Sequence, residues 1–239
     1  MPTNATHPTG PIDPTPRTLI HPVPYYSQWA SPELVPAIIA GTVQAAADPR
    51  WPEYGANSPE EYAWWSWRLC GMACLRMALA FWRHPVPTAM DLATACLDAG
   101  AYVRHEDGLH GLVYAPFASY VERRWGLLAQ SRPELPREEL PALIGAGRLV
   151  LLSVHPAIRD ADPEPPHRGG HLVLAVGVTP DHVVVHNPSG FPGRSQEFAH
   201  VDWPTLDRVY AGRGVVLGLQ DQTRRTPPPR PSHPKPTPP

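Results

Sequence analysis

The chain has 239 residues, of which 42% are hydrophobic, and its formal net charge at pH 7 is −2. This length and apolar content suffice for one hydrophobic core, and the near-neutral charge without basic or acidic runs argues against nucleic acid and anionic membranes as partners. The sequence contains neither an apolar stretch long enough to cross a bilayer nor a signal-peptide pattern at its start, so we expect a cytoplasmic protein.

Proline is concentrated at the two ends of the chain. Of the 34 prolines, many lie in Thr-rich segments with little apolar content at the N- and C-termini. Such composition cannot bury enough apolar surface to fold. We therefore predict disordered tails at 1–21 and 222–239 and one folded domain over 22–221.

The first half of the domain shows helical patterns. A serine followed by proline and glutamate marks a helix start twice, at Ser31 and at Ser58, because the serine caps the helix and proline is tolerated in its first turn. The first of these helices is predicted to run to about Ala47. The helix predicted at 69–82 is apolar on nearly every side, which is typical of a central buried helix. Further helices are predicted at 88–99, 113–125 and 137–146.

The second half changes to strand patterns. Thr179-Pro180-Asp181 separates two apolar runs and predicts a tight hairpin between them. A helical turn is predicted at 203–210. The predicted strands are 148–154, 171–178, 182–187, 196–198 and 214–219. Helices followed by an antiparallel sheet indicate an α+β fold.

Cys70 is the first candidate for chemistry. It lies in the first turn of the apolar helix, where the helix dipole favours a thiolate, and Gly71 leaves its backbone open to a substrate. The alternative is that Cys70 is only a small buried apolar residue. Cys74 and Cys96 are assigned to the core. Cysteines and histidines do not occur at zinc-ligand spacing, so neither a metal nor another cofactor is expected.

His171 and Asn187 are the second and third candidates. His171 follows two glycines at the start of a predicted strand, where an imidazole can face a cleft and accept the thiol proton. Asn187 closes the partner strand of the hairpin and can hold the ring in one tautomer. The alternatives are a solvent-facing strand end for His171 and an ordinary Asn-Pro turn for Asn187. The other strand histidines, His155, His182 and His186, are assigned to surface or structural positions.

The segments WRLCGMACLRMAL, GGHLVLAVGV and HVVVHNPSG resemble the bacteriocin-leader-processing cysteine peptidases, which are papain-like enzymes. The resemblance covers roughly 23–219. It implies a papain-like fold, with an N-terminal helical half around a central Cys-bearing helix and a C-terminal antiparallel sheet. It also implies that Cys70 is the nucleophile, His171 its base and Asn187 the group that orients the base. Gln28, in VPYYSQW, is implied as the side-chain donor to the oxyanion.

The sequence departs from the family in three places. Leu69 stands where the family often has Asp or Asn, and Met72 replaces a usual proline. Residues 30–66 form an insertion between Gln28 and the cysteine helix. A tryptophan cluster lies at its end, for which core packing is preferred over a peptide-binding role: Trp64, Trp65 and Trp67.

The constellation predicts a cysteine peptidase that hydrolyses a peptide or isopeptide amide of a peptide or protein substrate through a thioester at Cys70. One alternative is acyl transfer to an amine or thiol by the same groups, as in a transpeptidase or cyclase. Another is a catalytically idle domain that binds peptides. The sequence does not determine the oligomeric state or the scissile bond.

Overall fold

The computed structural model describes residues 18–106, 108–109 and 111–220. The α-helices of this part are α1 (Val35–Ile39), α2 (Pro59–Ser66), α3 (Cys70–Phe81), α4 (Ala89–Asp98), α5 (Tyr114–Trp125), α6 (Leu140–Gly145) and α7 (Trp203–Val209). The strands are β1 (Leu19–Ile20), β2 (Arg104–His105), β3 (Gly108–Leu109), β4 (Leu128–Arg132), β5 (Leu149–Val154), β6 (His171–Val178), β7 (His182–His186), β8 (Ala199–Asp202) and β9 (Tyr210–Gly218). Within the described residues, none of the helices has the length and apolarity needed to span a bilayer.

The N-terminal boundary of the domain needs a correction. The predicted tail 222–239 and residues 1–17 of the predicted tail 1–21 lie outside the described residues. Strand β1, however, falls inside the predicted N-terminal tail and pairs antiparallel with Gly177 and Val178 of β6. Backbone pairing of a two-residue segment leaves no trace in composition, so the sequence places the boundary too late.

The predicted helix starts are confirmed where the capping chemistry is complete. The Ser58 hydroxyl accepts from the Glu61 N–H at the start of α2, with proline at the first helical position. Thr88 and Asp91 form a reciprocal capping box at the start of α4. Helix α3 matches the predicted central helix, and most of its residues are buried.

The helix predicted from Ser31 to Ala47 is wrong beyond Ile39, where α1 ends. The side chain of Ser31 donates to Asp48 at 2.7 Å. A continuous helix would hold these two residues about 25 Å apart, at 1.5 Å per residue. The chain therefore reverses between them, and the buried carboxylate of Asp48 fastens the insertion.

Six strands of the main sheet follow in the order β4-β9-β5-β6-β7-β8, and β1 adds to β6. Every neighbouring pair is antiparallel, including the predicted β6–β7 hairpin. Both faces of the sheet are covered. Leu149 and Leu151 of β5 pack into one core with α3, α4 and α5, whereas Val150 and Leu152 pack into a second core with α6 and α7. The predicted α+β class is confirmed.

Strands β4, β8 and β9 of the main sheet differ from the prediction, and β9 begins at Tyr210 instead of at 214. The two-residue strands β2 and β3 are also absent from the predicted set. Strand β4 was not predicted, because it lies at the edge of the sheet and its sequence, LAQSR, has little apolar content. The strand predicted at 196–198 is wrong, and β8 begins only at Ala199. Phe198 has φ = +46°, a left-handed conformation that a strand cannot contain.

Asp48 provides a test of how the insertion is held. Its carboxylate accepts from the Tyr62 hydroxyl at 2.6 Å, from the Ser31 N–H and hydroxyl, and from the Arg50 N–H. Burial by itself raises the pKa of Asp48, but these four hydrogen bonds outweigh burial and hold the pKa below its ordinary value.

We expect Asp48→Asn to lower the free energy of unfolding by about 3 kcal/mol at pH 7, because an amide cannot accept the same donors. A depressed folded-state pKa contributes stability above the unfolded pKa of about 3.9, and this stability is lost as the pH falls through the folded pKa. The difference between the urea midpoints of the two proteins should therefore shrink below about pH 4. Asp98→Asn, at an exposed helix end, is the matched control and should change stability by only a few tenths of a kcal/mol. An equally stable Asp48→Asn protein would contradict this account of the insertion.

Candidate active site

Cys70 is the first residue of α3 and is partly exposed. Its helix packs closely on strand β6. A Cβ at Gly71 would stand 2.8 Å from a methyl of Leu112 and 3.2 Å from one of Leu172. One turn further on, the Cys74 sulfur lies 3.8 Å from the Leu172 carbonyl oxygen. A side chain at position 71 would therefore have to displace Leu112 and Leu172, which lie close to the start of the helix.

His171 is the first residue of β6 and is only 6% exposed. The chain approaches it through Gly169 and Gly170, whose φ angles of +86° and +97° suit glycine alone. A ring nitrogen of His171, Nε2, lies 2.9 Å from Oδ1 of Asn187, which directly follows β7. The hairpin thus brings together the histidine and the asparagine that the sequence proposed as a pair.

The hydrogen bonds around Asn187 determine the tautomer of His171. The backbone N–H of Ser189 donates to Asn187 Oδ1 at 3.1 Å, so the amide oxygen is the atom that faces the ring. A carbonyl oxygen can only accept, and Nε2 must therefore carry the proton. This leaves the other ring nitrogen, Nδ1, unprotonated in the neutral ring and able to act as a base.

Cys70 and His171 line the same cleft, which has a volume of about 670 Å³. Its walls are mainly apolar and aromatic, and they include Trp67, Tyr102, Leu109, Leu112 and Tyr114. The hydrogen bonds of the His171 ring within the described chain go to Asn187 and Ser189, and none reaches the Cys70 sulfur. Catalytic hydrogen bonds are commonly long without a ligand and shorten when substrate binds.

The ionisation of the pair follows from its surroundings. Burial raises the pKa of the Cys70 thiol, although the Leu172 N–H and the positive charge of Arg159 favour the thiolate. Burial and the same arginine lower the pKa of His171 to about 3, against the hydrogen bond that His171 donates to Asn187, which raises it. At neutral pH the unliganded site therefore holds a thiol and a neutral imidazole rather than an ion pair.

Gln28 lies beside this site but does not line the cleft. It is buried, its backbone N–H donates to the Pro188 carbonyl, and its side-chain Nε2 donates to the Ser66 carbonyl at 2.7 Å. The side-chain oxygen is buried without a partner among the described residues. One N–H of the amide remains beyond the bond to Ser66.

The remaining predicted residues separate into core and cleft. Cys74 and Cys96 are fully buried, in agreement with their assignment to the core. His186 is also buried, with one ring nitrogen bonded to the Val23 carbonyl and the other accepting from the Phe198 N–H, so it is structural. Of the tryptophans, Trp65 packs in the core, but Trp67 is 50% exposed and lines the cleft.

Sequence reasoning missed two residues that touch the site. Ser189 Oγ lies 3.0 Å from His171 Nε2, and the guanidinium of Arg159 donates to Ser189. Ser189 follows the Asn-Pro pair that was singled out, and Arg159 lies in a segment predicted as loop. The position of Ser189 two residues after Asn187 could have suggested it, but no sequence signal points to Arg159.

The fully charged side chains among the described residues of the cleft wall are all positive. Arg68 and Arg213 line it, whereas no Asp or Glu is among its described lining residues. A guanidinium nitrogen of Arg213 lies 3.1 Å from where a Cβ at Gly169 would stand, so this cation borders the approach to His171. Within the described chain, Arg213 has neither a hydrogen-bond acceptor nor an ion-pair partner for its side chain.

Comparison with known proteins gives structural neighbours only. No protein-family profile matches the chain, and no curated protein matches it in sequence. One similar solved structure is a double glycine motif protease from an AMS/PCAT transporter in complex with the leader peptide, at 15% identity and a TM-score of 0.42, covering 63% of this chain and 84% of that one. A second is the peptidase domain of Streptococcus ComA, a bi-functional ABC transporter involved in a quorum sensing pathway, at 13% identity, a TM-score of 0.44 and coverages of 64% and 93%.

A third neighbour is a protein described as a C39-like peptidase from Bacillus anthracis. It is 13% identical, has a TM-score of 0.47, and the match covers 64% of this chain and 90% of that one. These structural neighbours belong to the class of double-glycine peptidases that the sequence motifs resemble.

The ionisation of the site predicts how Cys70 reacts with iodoacetamide. Because both partners are neutral at rest, the alkylation rate should rise with pH towards a midpoint above that of an ordinary thiol. Cys70→Ser, which keeps the buried Cys74 and Cys96, gives the background rate. A rise in the alkylation rate with a midpoint below about pH 6 would instead indicate a thiolate–imidazolium pair.

Arg213 provides a second test of the cleft. The ratio of alkylation rates for iodoacetate and iodoacetamide reports the local charge and is independent of the thiol pKa, because both reagents consume the thiolate. Arg213→Gln should lower this ratio about two- to fivefold at low salt, and added salt should remove the difference. Arg123→Gln, on the exposed surface of α5, is the control and should leave the ratio unchanged. An unchanged ratio in Arg213→Gln would contradict an effect of Arg213 at the sulfur.

Proposed function

We propose that the protein is a papain-like cysteine peptidase that cleaves an amide bond of a peptide or protein substrate. The observation that carries this proposal is the hydrogen-bonded His171–Asn187 pair at the edge of the cleft that Cys70 also lines. A thiol at a helix start, a neutral imidazole with a free Nδ1 and an orienting amide are the groups that thiol acyl chemistry needs.

In the proposed reaction, the Cys70 sulfur attacks the substrate carbonyl carbon while the thiol proton passes to Nδ1 of His171. The C–N bond then breaks, and His171 gives this proton to the departing amine, which leaves a thioester on Cys70. Water next adds to the thioester with loss of a proton to His171. Collapse releases the acid, and the proton returns to the sulfur.

The low pKa of His171 favours the step in which the protonated imidazole gives its proton to the departing amine. An imidazole that is hard to protonate becomes a strong acid once it holds the thiol proton, and a strong acid is an effective donor to the leaving amine. The same property makes the first proton transfer less favourable. We infer that the proton moves only as the carbon–sulfur bond forms.

Stabilisation of the oxyanion is proposed for the backbone N–H of Cys70 and the side chain of Gln28. The amide of Gln28 is held by Ser66, which lies four residues before Cys70, and its second N–H is the available donor. The Leu172 N–H lies near the Cys70 sulfur as well and favours its thiolate form. Loss of one such donor typically lowers kcat by 10²- to 10³-fold.

The shape and lining of the cleft support a peptide as substrate. Apolar and aromatic side chains can bind substrate side chains, and the cleft opens on the partly exposed sulfur. Trp67, which directly follows the insertion 30–66, contributes to this wall. The cytoplasmic location expected from the sequence stays a prediction.

We expect purified protein to cleave members of a proteome-derived peptide mixture, with the products identified by mass spectrometry. Cys70→Ala should abolish cleavage without changing the melting temperature, and His171→Ala should reduce cleavage at least 10³-fold. Asn187→Ala should leave weaker but measurable activity, because the base remains while its tautomer is no longer fixed. Cys74→Ala is the matched control and should retain cleavage.

The same experiment separates the alternatives. Products joined to an added amine would indicate acyl transfer from the thioester rather than hydrolysis. Peptide retention by both wild type and Cys70→Ala, without any covalent change, would replace the peptidase proposal by the idle binding domain. Cleavage that survives in Cys70→Ala would exclude Cys70 as the nucleophile.

A further inference from the structure

Ser189 contacts both members of the His171–Asn187 pair. The β6–β7 ladder ends at the pair Leu174–His186, and the following turn, closed by the Gly190 N–H on the Asn187 carbonyl, brings Ser189 against His171. The Ser189 hydroxyl lies 3.0 Å from His171 Nε2, and its backbone N–H donates to Asn187 Oδ1 at 3.1 Å. Ser189 is completely buried, so its hydroxyl position depends on its protein partners.

Arg159 is the residue that fixes this serine. It ends the short 3₁₀ helix Pro156–Arg159 and reaches Ser189 with two nitrogens. Nε donates to the Ser189 carbonyl at 2.8 Å, and Nη2 donates to the hydroxyl at 2.9 Å. The planar guanidinium therefore holds the backbone and the side chain of Ser189 at once, a grip that a lysine could not reproduce.

Arg159 is engaged with Ser189 instead of a carboxylate. No carboxylate of the described chain lies within ion-pair distance of its guanidinium, and the adjacent Asp160 pairs with Arg194 at 3.8 Å. A half-buried arginine without an acidic partner is costly to bury, which argues for a role beyond surface solvation.

We propose that Arg159 and Ser189 are a positioning pair that holds the His171 ring at Nε2, with the Nε2–H shared between Asn187 Oδ1 and the serine hydroxyl. This inference rests on the proposed role of His171 as the base. With Arg159 donating to it, the hydroxyl oxygen faces the ring as an acceptor. The ring can then neither flip nor change tautomer without losing two hydrogen bonds.

The charge of Arg159 acts on the same site. Ser189 Oγ lies 2.9 Å from Nη2 of Arg159 and 3.0 Å from Nε2 of His171. Nη2 of Arg159 is therefore no more than about 6 Å from Nε2 of His171. At this range a cation favours the neutral form of the imidazole, and the charge of Arg159 also favours the thiolate of Cys70. The other titratable or charged groups around the pair are His155, which also acts on the pKa of His171, and Arg68, Tyr102, Tyr114 and Arg213, along the cleft.

Three variants of the full chain test the pair without a substrate. Arg159→Gln removes the charge and the two-atom grip, and Ser189→Ala removes the hydroxyl but keeps the charge. Arg194→Gln is the matched control, because Arg194 donates to the Arg159 carbonyl but makes no described contact with Ser189 or His171. The readouts are the alkylation rate of Cys70 by iodoacetamide and the solvent exchange of the His171 Nε2 proton in ¹⁵N-labelled protein, assigned with His171→Ala.

Arg159→Gln should raise the midpoint of Cys70 alkylation by about one pH unit and so slow alkylation at pH 7 about tenfold. Ser189→Ala should leave the alkylation rate within about threefold of wild type, because the charge remains. Both variants should exchange the Nε2 proton about fivefold faster, the equivalent of one hydrogen bond. Arg194→Gln should change neither quantity.

A folded Arg159→Gln protein with wild-type alkylation and wild-type proton exchange would overturn the inference. If Arg159→Gln does not fold, unchanged proton exchange in Ser189→Ala would overturn it instead. A purely structural role would lower the melting temperature and leave both readouts in place. Because neither readout needs turnover, failure to cleave any peptide would count against the proposed function and leave this result standing.

Discussion

The site depends on the close packing of the start of helix α3 against the start of strand β6. The Cys74 sulfur lies 3.8 Å from the Leu172 carbonyl oxygen there, and the Leu172 N–H acts on the Cys70 sulfur. Since Leu172 directly follows His171, this one contact fixes the sulfur and the imidazole at the same end of the sheet. Movement of the helix away from the strand would separate the Cys70 sulfur from the His171 imidazole, whatever else remained intact.

The second core of the protein supports the site from the opposite face of the sheet. Helices α6 and α7 bury the far face of the sheet, and the segment between β5 and β6 crosses this end with Arg159. His171 therefore faces the cleft on one side, and on the other it is hydrogen-bonded to Asn187 and Ser189, the second of which is bonded to Arg159. The burial that results explains both perturbed ionisations, because a desolvated thiol and a desolvated imidazole each prefer their neutral form.

The insertion 30–66 is more than an added surface lobe. The Asp48 carboxylate accepts from Ser31, near the start of the insertion, and from Tyr62, near its end, and so links the two ends. Helix α2 leads directly into α3, which begins at Cys70. Through Ser66 it contacts the Gln28 amide, and through Trp67, which follows it, the same stretch of chain contributes to the cleft wall. The insertion and the site are thus mechanically connected, and the packing of one affects the geometry of the other.

Local chemistry in the sequence determined most of the elements. Caps at Ser58 and Thr88, the apolar run after Cys70 and the Thr179-Pro180-Asp181 turn each act within a few residues, so the sequence alone predicts α2, α3, α4 and the β6–β7 hairpin. The same local signals proposed Cys70, His171 and Asn187 as candidates. They did not predict β1, β4 or the early end of α1, because those features depend on partners far along the chain.

Only the tertiary structure decided which side chains surround His171. The hairpin carries a register shift between Ala175 and Gly177, which sets the pairing of the strand end that leads to Asn187. Ser189 lies in the turn that follows, and Arg159 reaches it from another segment. The sequence therefore determined which chemical groups are present, whereas register and long-range packing determined their distances and ionisation, since neither bulge position nor burial is a property of a short stretch of chain.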